Sequence, residues 1–260
     1  MIDDWFRAVE LKITFDEFER LPRIVGYKHE YFDDRCVLTP RQRNCYAALN
    51  LERYRPLEPR SDNHEKINVR PLAESDREHV ADLCGPAFSR IPPFSSLTDE
   101  EQNAAGRDCM EFVRKGGDGP LLPEASQVAV DEHCNISGAL LIVLKPPGYR
   151  IDPWRNDGWR EPIDASAAQG KDGQPHIDWV FTHPWLLNRG IASAMLEQCV
   201  QVLRARGNKS LTSTYLLGNG ESMAWHWRNG FELLPNPGSM RSLRSAMKDE
   251  MHRPHADAAH

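Results

Sequence analysis

Between residues 176 and 206 the chain reads HIDWVFTHPWLLNRGIASAMLEQCVQVLRAR, the pattern of a strand, a turn and a helix. The helix mouth is Asn188-Arg189-Gly190-Ile191-Ala192-Ser193. A helix starts with amide N–H groups that lack internal partners and with the positive end of its macrodipole, so backbone alone can hold a phosphate there. Gly190 would remove the Cβ where an anion touches the chain, Ala192 and Ser193 keep the next positions slim, and Arg189 adds a cation at the rim. On the preceding strand, alternation puts His176, Asp178, Val180 and Thr182 on one face and Ile177, Trp179 and Phe181 on the other. An imidazole and a carboxylate one pleat apart could move a proton. Further on, NGESMAWHWRNGFELL opens with Asn219, a candidate helix cap, and carries His226, whose ordinary pKa near 6.5 allows it to give or take a proton near neutrality. Each residue also has a packing role open to it: His226 could be held between Trp225 and Trp227, and His176 with Asp178 could form a polar pair that holds the loop before them.

The elements that must position these groups can be read on both sides. After a short strand INVRPL, a helix opens at Glu74-Ser75-Asp76 with Val80, Leu83, Cys84 and Ala87 at helical spacing. A second helix is capped by Thr98 and stops at Gly116-Gly117. SQVAV and GALLIVL form a hairpin around Asn135. The segment from Pro146 to Pro175 is too rich in proline, glycine and charge for a regular element, and a loop that long suits a lid carrying Tyr149, Trp154 and Trp159. Upstream, Thr14 caps a short helix through FDEFERL, and YKHEYF and RCVLT form a hairpin about Asp33-Asp34. Residues 1–60 therefore read as a small appendage of helix plus hairpin, 61–67 as a linker, 68–236 as the main domain and 237–260 as a frayed tail.

Composition bounds the partners. With 260 residues, 40% hydrophobic and 27% charged, the chain suits a soluble globular protein of one or two domains. Its net charge of −6 has the opposite sign to a general nucleic-acid binder, and no apolar run reaches the ~18 residues of a spanning helix. The opening MIDDWFRAVE lacks the features of a secretory signal, so a cytoplasmic location is the expectation, with neither nucleic acid nor membrane as partner. The six cysteines show no ligand spacing, which points to buried reduced thiols and to no metal.

HPWLLNRGIASAML and NGESMAWHWRNGF together resemble the GCN5-related N-acetyltransferase family. Pro184, Gly190 and Ala192 match that family's first signature, with Leu187 standing where Arg or Gln is usual, and Asn219, Gly230 and Phe231 match its second. The resemblance covers about two thirds of the chain. It implies an α/β (α+β) fold with a mixed, mostly antiparallel twisted sheet flanked by helices. It also implies direct transfer of an acetyl group from acetyl-CoA to an amine-bearing small molecule or peptide. Backbone groups of Val180, Phe181 and Thr182 would run beside the pantetheine arm. The amides from Asn188 and Arg189 to Ile191, Ala192 and Ser193 would hold the pyrophosphate, with Asn219 touching the cofactor arm. His226 stands where the family places a tyrosine acid, and so becomes the expected proton donor. His176 or Asp178 is the expected base, with Tyr215 an outsider, because Thr214 occupies the alternative glutamate position. A homodimer stays open, as does a coenzyme A-binding sensor in which Leu187 and His226 mark lost chemistry.

Overall fold

The computed structural model describes residues 8–22, 27–40, 44–57, 68–91, 94–149, 158–217 and 219–234. In chain order the elements are β1 (Val9–Leu11), α1 (Phe15–Arg20), β2 (Tyr27–Phe32), β3 (Arg35–Pro40), β4 (Asn44–Asn50), β5 (Asn68–Pro71), α2 (Arg77–Phe88), α3 (Asp99–Arg114), β6 (Gln127–Val130), β7 (Ile136–Lys145), α4 (Ala165–Gly170), β8 (Gln174–Thr182), α5 (Ile191–Ala205), β9 (Ser210–Leu216), α6 (Gly220–Arg228) and β10 (Glu232–Leu233). They form a three-stranded sheet, β1-β3-β2, and a seven-stranded sheet, β10-β4-β9-β8-β7-β6-β5. Among the described strands of the larger sheet only β8 and β9 pair in parallel. The architecture is thus a mixed α+β fold on a mostly antiparallel sheet flanked by helices. Among the described residues no helix is long and apolar enough to cross a membrane.

Local chemistry explains the small elements. Thr14 and Glu17 form a reciprocal capping box that starts α1, and Thr98 and Glu101 do the same for α3. Asp33 and Asp34 turn the β2–β3 hairpin with φ of 50° and 54°, the left-handed pair that a tight hairpin demands and that aspartate tolerates. Phe18, Cys36 and Leu38 form the small core of this N-terminal unit.

The next strand corrects the expected boundary at residue 60. Asn44–Asn50 belongs to the main sheet: β4 pairs with β9 through all seven residues and with β10 on its other edge. Ala47 and Leu49 point into the main core. A strand inserted from far upstream in sequence therefore separates β9 from β10.

β7 divides the core. Leu140, Ile142 and Leu144 face α5, which supplies Met195, Leu196, Cys199 and Leu203, whereas Leu141 and Val143 face α2 and α3. The two helices on that second face come very close. A Cβ on Gly106 would stand 2.6 Å from the Gly85 amide nitrogen, so glycine is the residue that permits the crossing. Buried Gln102 donates from Nε2 to the carbonyls of Phe94 and Leu97, both at 3.1 Å, and fixes the connection between α2 and α3. Part of the segment from 146 to 175, expected to be irregular, forms α4, capped by Asp164 at 2.7 Å to the Ala167 amide.

Candidate active site

The two parallel strands form a fork. β8 and β9 are paired at His176 with Thr212 and at Ile177 with Ser213, and at no later residue, although β8 runs on to Thr182 and β9 to Leu216. Past the fork, the β8 edge over Val180, Phe181 and Thr182 has no partner strand among the described residues. Its other edge is fully paired with β7.

At the root of the fork the β7–β8 ladder slips. Leu141 pairs with Trp179 and Ile142 with Ile177, so Asp178 is the extra residue of a bulge. This corrects the expected alternation. Ile177 and Val180 pack toward α5, while Trp179 and Phe181 pack toward α2 and α3, because the bulge reverses the parity between residues 177 and 179.

Beyond β8, a short 3-10 turn, Pro184–Leu186, leads to the mouth of α5. Asn188 and Gly190 have φ of 63° and 80°. Gly190 is there because the left-handed backbone requires it, and a Cβ at that position would meet nothing within 4 Å. No side chain caps α5, so the amides of Ile191, Ala192 and Ser193 open its first turn uncovered by a cap. The Ser193 hydroxyl is engaged elsewhere, accepting from Asn229 Nδ2 at 3.3 Å. Asn219 caps α6 through Oδ1, 3.0 Å from the Ser222 amide. It also lines a cleft of about 200 Å³ bounded by Ala87, Ser89 and Arg90 from the end of α2 and by Pro184 and Leu187 before α5.

The two histidines fare differently from expectation. His226 is 2% exposed. Its Nδ1 lies 2.7 Å from the Ser222 carbonyl oxygen, which can only accept, so Nδ1 carries the proton. Nε2 then receives the Ser213 hydroxyl at 2.8 Å. The rings of Tyr215, Trp225 and Phe231 surround it, while Trp227 faces solvent. Burial pushes its pKa down to about 4, against a weaker opposite pull from the Ser222 backbone bond. A neutral imidazole whose one N–H points into its own helix has no proton to offer a thiolate. This enclosure does not favour the expected donor role of His226.

His176 is equally enclosed at 2% exposure. Thr212 Oγ1 donates to the Pro175 carbonyl at 3.1 Å and so accepts from His176 Nδ1 at 2.9 Å, and Thr214 Oγ1 lies 3.3 Å from Nε2. Burial, then the charge of Lys145, then His226 hold its pKa well below the ordinary value. His176 is a clasp between β8 and β9, with both ring nitrogens beside threonine hydroxyls, an arrangement that does not favour it as the expected base.

Asp178 differs from both. Its Oδ2 is buried and makes no hydrogen bond among the described residues. Burial first, then repulsion from Asp118, raise the carboxyl pKa to about 8, with Lys145 pulling the other way. Lys145, 5% exposed, holds Nζ 3.3 Å from Asp118 Oδ1, and the Tyr149 ring packs edge-on to His176 at 5.2 Å. Trp159, one of the expected lid aromatics, instead donates from Nε1 to the Leu144 carbonyl at 2.7 Å and pins its segment to β7. Trp154 lies outside the described residues. Lys145 and Asp118 carried no signal of their own in sequence. The nearest clue is that Lys145 continues the inward period of Leu141 and Val143, where a charge is out of place.

No protein-family profile matches the chain, and no curated protein does. Solved structures similar to it include a GNAT family acetyltransferase from Brucella melitensis in complex with acetyl-CoA, at 15% identity and a TM-score of 0.42 over 66% of this chain and 88% of that one. A GCN5-related N-acetyltransferase from Sphaerobacter thermophilus is 18% identical, with a TM-score of 0.46 over 87% of this chain and 56% of that one. A putative acetyl transferase from Pyrococcus furiosus is 17% identical, with a TM-score of 0.45 over 66% of this chain and 96% of that one.

Proposed function

We propose that this chain is an acetyl-CoA-dependent N-acetyltransferase that carries an acetyl group directly to the amine of a small molecule or peptide. The observation that carries the reading is the fork itself: a β8 edge with no partner strand among the described residues runs from the half-buried Asp178, with one buried carboxyl oxygen, to an uncapped helix mouth. These features fit the co-substrate by parts. The amides of Ile191, Ala192 and Ser193, with the positive end of the α5 dipole, suit a pyrophosphate, and Asn188, Arg189 and Gly190 shape the turn that exposes them. Backbone groups of Val180, Phe181 and Thr182 suit the amide-bearing pantetheine arm as an added strand would. Asn219 can cap α6 with its oxygen and still present two N–H donors to the cleft.

A thioester is already activated, so the residues have to hold it, bring up the amine and remove a proton. An alkyl ammonium with pKa near 10.4 is about one part in 10³ neutral at pH 7, and only the neutral amine attacks. Of the expected bases, Asp178 alone combines a free oxygen, a raised pKa and a place at the root of the fork. The neutral amine nitrogen bonds to the acetyl carbon, its proton passes to the ionised Asp178 carboxylate, and the carbon–sulfur bond breaks with its electron pair leaving on sulfur as the coenzyme A thiolate.

A second reading, a coenzyme A-binding sensor without turnover, draws on the enclosure of His176 and His226, which leaves no imidazole for proton transfer. Calorimetry with acetyl-CoA followed by thiol release across an amine panel separates the two. Binding with turnover supports the transferase, binding without turnover the sensor, and no binding removes both.

A further inference from the structure

We infer that Arg90 supplies the cation that meets the pyrophosphate of acetyl-CoA, reaching it from the α2 wall of the cleft that Leu187 also lines. The inference rests on the proposed binding of acetyl-CoA along the β8 edge. The cleft, of about 200 Å³, has three walls, each built on a hydrogen-bonded turn. After α2, the Ser89 amide donates to the Pro86 carbonyl at 3.2 Å and the Ile91 amide to the Phe88 carbonyl at 2.8 Å, which fixes the chain on both sides of Arg90. Before α5, the Leu186 amide donates to the His183 carbonyl at 2.8 Å, and that turn presents Pro184 and Leu187. Before α6, the Asn219 amide donates to the Leu216 carbonyl at 3.1 Å, and Asn219 leads into Glu221.

Two charged residues line this cleft, Arg90 and Glu221, and both are exposed. Among the described residues neither side chain has a hydrogen-bond or ion-pair partner. Glu221 has a local role, since a carboxylate in the first turn of α6 offsets the positive helix end. It also repels phosphate, so an anion in the cleft needs a cation beside it. The mouth of α5 offers amides and a helix dipole but little full charge: Leu187 brings none, and Arg189 is already engaged within the protein. Arg90 shares one cleft with the turn that leads to those amides and with Asn219, the residue proposed to touch the pantetheine arm. Its guanidinium can meet two phosphate oxygens with parallel N–H groups. The competing role is structural: Arg90 follows Ser89, the C-cap of α2, where a cation offsets the negative helix end and acts on stability alone.

The test is calorimetry on the full chain with acetyl-CoA and with acetyl-dephospho-CoA, which keeps the pyrophosphate and lacks the ribose phosphate. Arg90→Gln should weaken both ligands by about tenfold or more. Arg90→Lys should fall in between, because it keeps the charge and loses the two-pronged fork. Raising salt from about 0.01 M to about 1 M should weaken wild-type binding more than binding by Arg90→Gln, since an exposed charge pair is screened. Affinity within about twofold of wild type in Arg90→Gln overturns the inference, and a lowered melting midpoint beside it assigns Arg90 to the end of α2. A lysine variant no better than the glutamine one, or equal salt dependence in wild type and Arg90→Gln, overturns it as a charge contact. A loss confined to acetyl-CoA overturns it in favour of the ribose phosphate. No binding by the wild type removes the transferase reading and this inference with it, whereas wild-type binding that Arg90→Gln leaves unchanged removes this inference alone.

Discussion

The Ser213 hydroxyl donates to His226 Nε2 at 2.8 Å, and this bond ties α6 to β9 at the residue where β9 leaves β8. With Nδ1 committed to the Ser222 carbonyl, the imidazole is a buried bracket between a helix and a strand. His226→Ala should therefore act on stability, by about 2–4 kcal/mol from the cavity and the orphaned hydroxyl together, and be seen as a lower denaturant midpoint. Single-turnover acyl transfer at saturating acetyl-CoA should stay within about threefold of wild type, since removing a group that exchanges no proton with substrate leaves the chemical barrier unchanged. A loss of about 10² or more in a folded variant would return His226 to the proton path.

The same burial predicts how stability responds to acid. His226 has a folded pKa near 4, below the ordinary value of 6.5 for the unfolded chain, so the unfolded state binds the proton more readily. Its contribution is fully present above pH 6.5 and is lost as pH falls toward 4. His176, also depressed, adds to the loss as pH falls below 6.5. Asp178 works in the opposite direction: its raised pKa gives stability that is present below pH 4 and drains away as pH climbs to about 8. Denaturant melts from pH 4 to 9 should rise on the acid side and decline on the alkaline side. Asp178→Asn should remove the decline between pH 6.5 and about 8 and steepen the rise between pH 4 and 6.5.

For catalysis, Asp178→Asn keeps the shape of the side chain and removes the base. Acyl transfer should drop by about 10² or more with acetyl-CoA affinity little changed. In the wild type, about one tenth of a carboxyl with pKa 8 is ionised at pH 7, so kcat/KM should climb through pH 8. A flat pH profile in wild type would exclude this carboxyl as the base.

On the proposed reading, backbone at the mouth of α5 would hold the pyrophosphate and side chains there would hardly matter. Gly190→Val forces a β-branched residue to φ of 80°, straining the turn by roughly 1–3 kcal/mol and tilting the amides of Ile191 to Ser193. Acetyl-CoA affinity should fall about tenfold or more by calorimetry. Ser193→Ala keeps its amide and loses only the bond from Asn229, so its affinity should stay within about threefold.

What sequence could and could not disclose follows from locality. The capping boxes at Thr14 and Thr98, the turns at Asp33-Asp34 and Asn135, and the strand-turn-helix around Gly190 depend on residues within a few positions of one another, and each was readable. The bulge at Asp178 is a mismatch between two strands, and nothing within HIDWVFT marks it. The enclosure of His176 and His226 needs Thr212, Thr214 and Ser213, supplied by β9 across the fork. Spacing could nominate these histidines, but their hydrogen-bond partners determine what they do.

The N-terminal strand offers the sharpest mechanical test. β1, α1, β2 and β3 have their own core of Phe18, Cys36 and Leu38, and a 3.4 Å contact between the Tyr27 and Ser95 hydroxyls joins them to the segment before α3. Removing residues 1–40 should leave a cooperatively folding domain that still binds acetyl-CoA. Removing residues 1–57 takes β4 as well, and with it the seven-residue ladder to β9, the pairing of β10 and the buried side chains of Ala47, Leu49, Leu51 and Tyr54. Arg204 on α5 would also lose the carbonyls of Leu51 and Tyr54, to which it donates at 2.7 and 2.9 Å. β9, one prong of the fork, would become an unsupported edge. The longer truncation should lose its cooperative melt by circular dichroism. If it folds and binds as well as the shorter one, β4 is not the strut of the site.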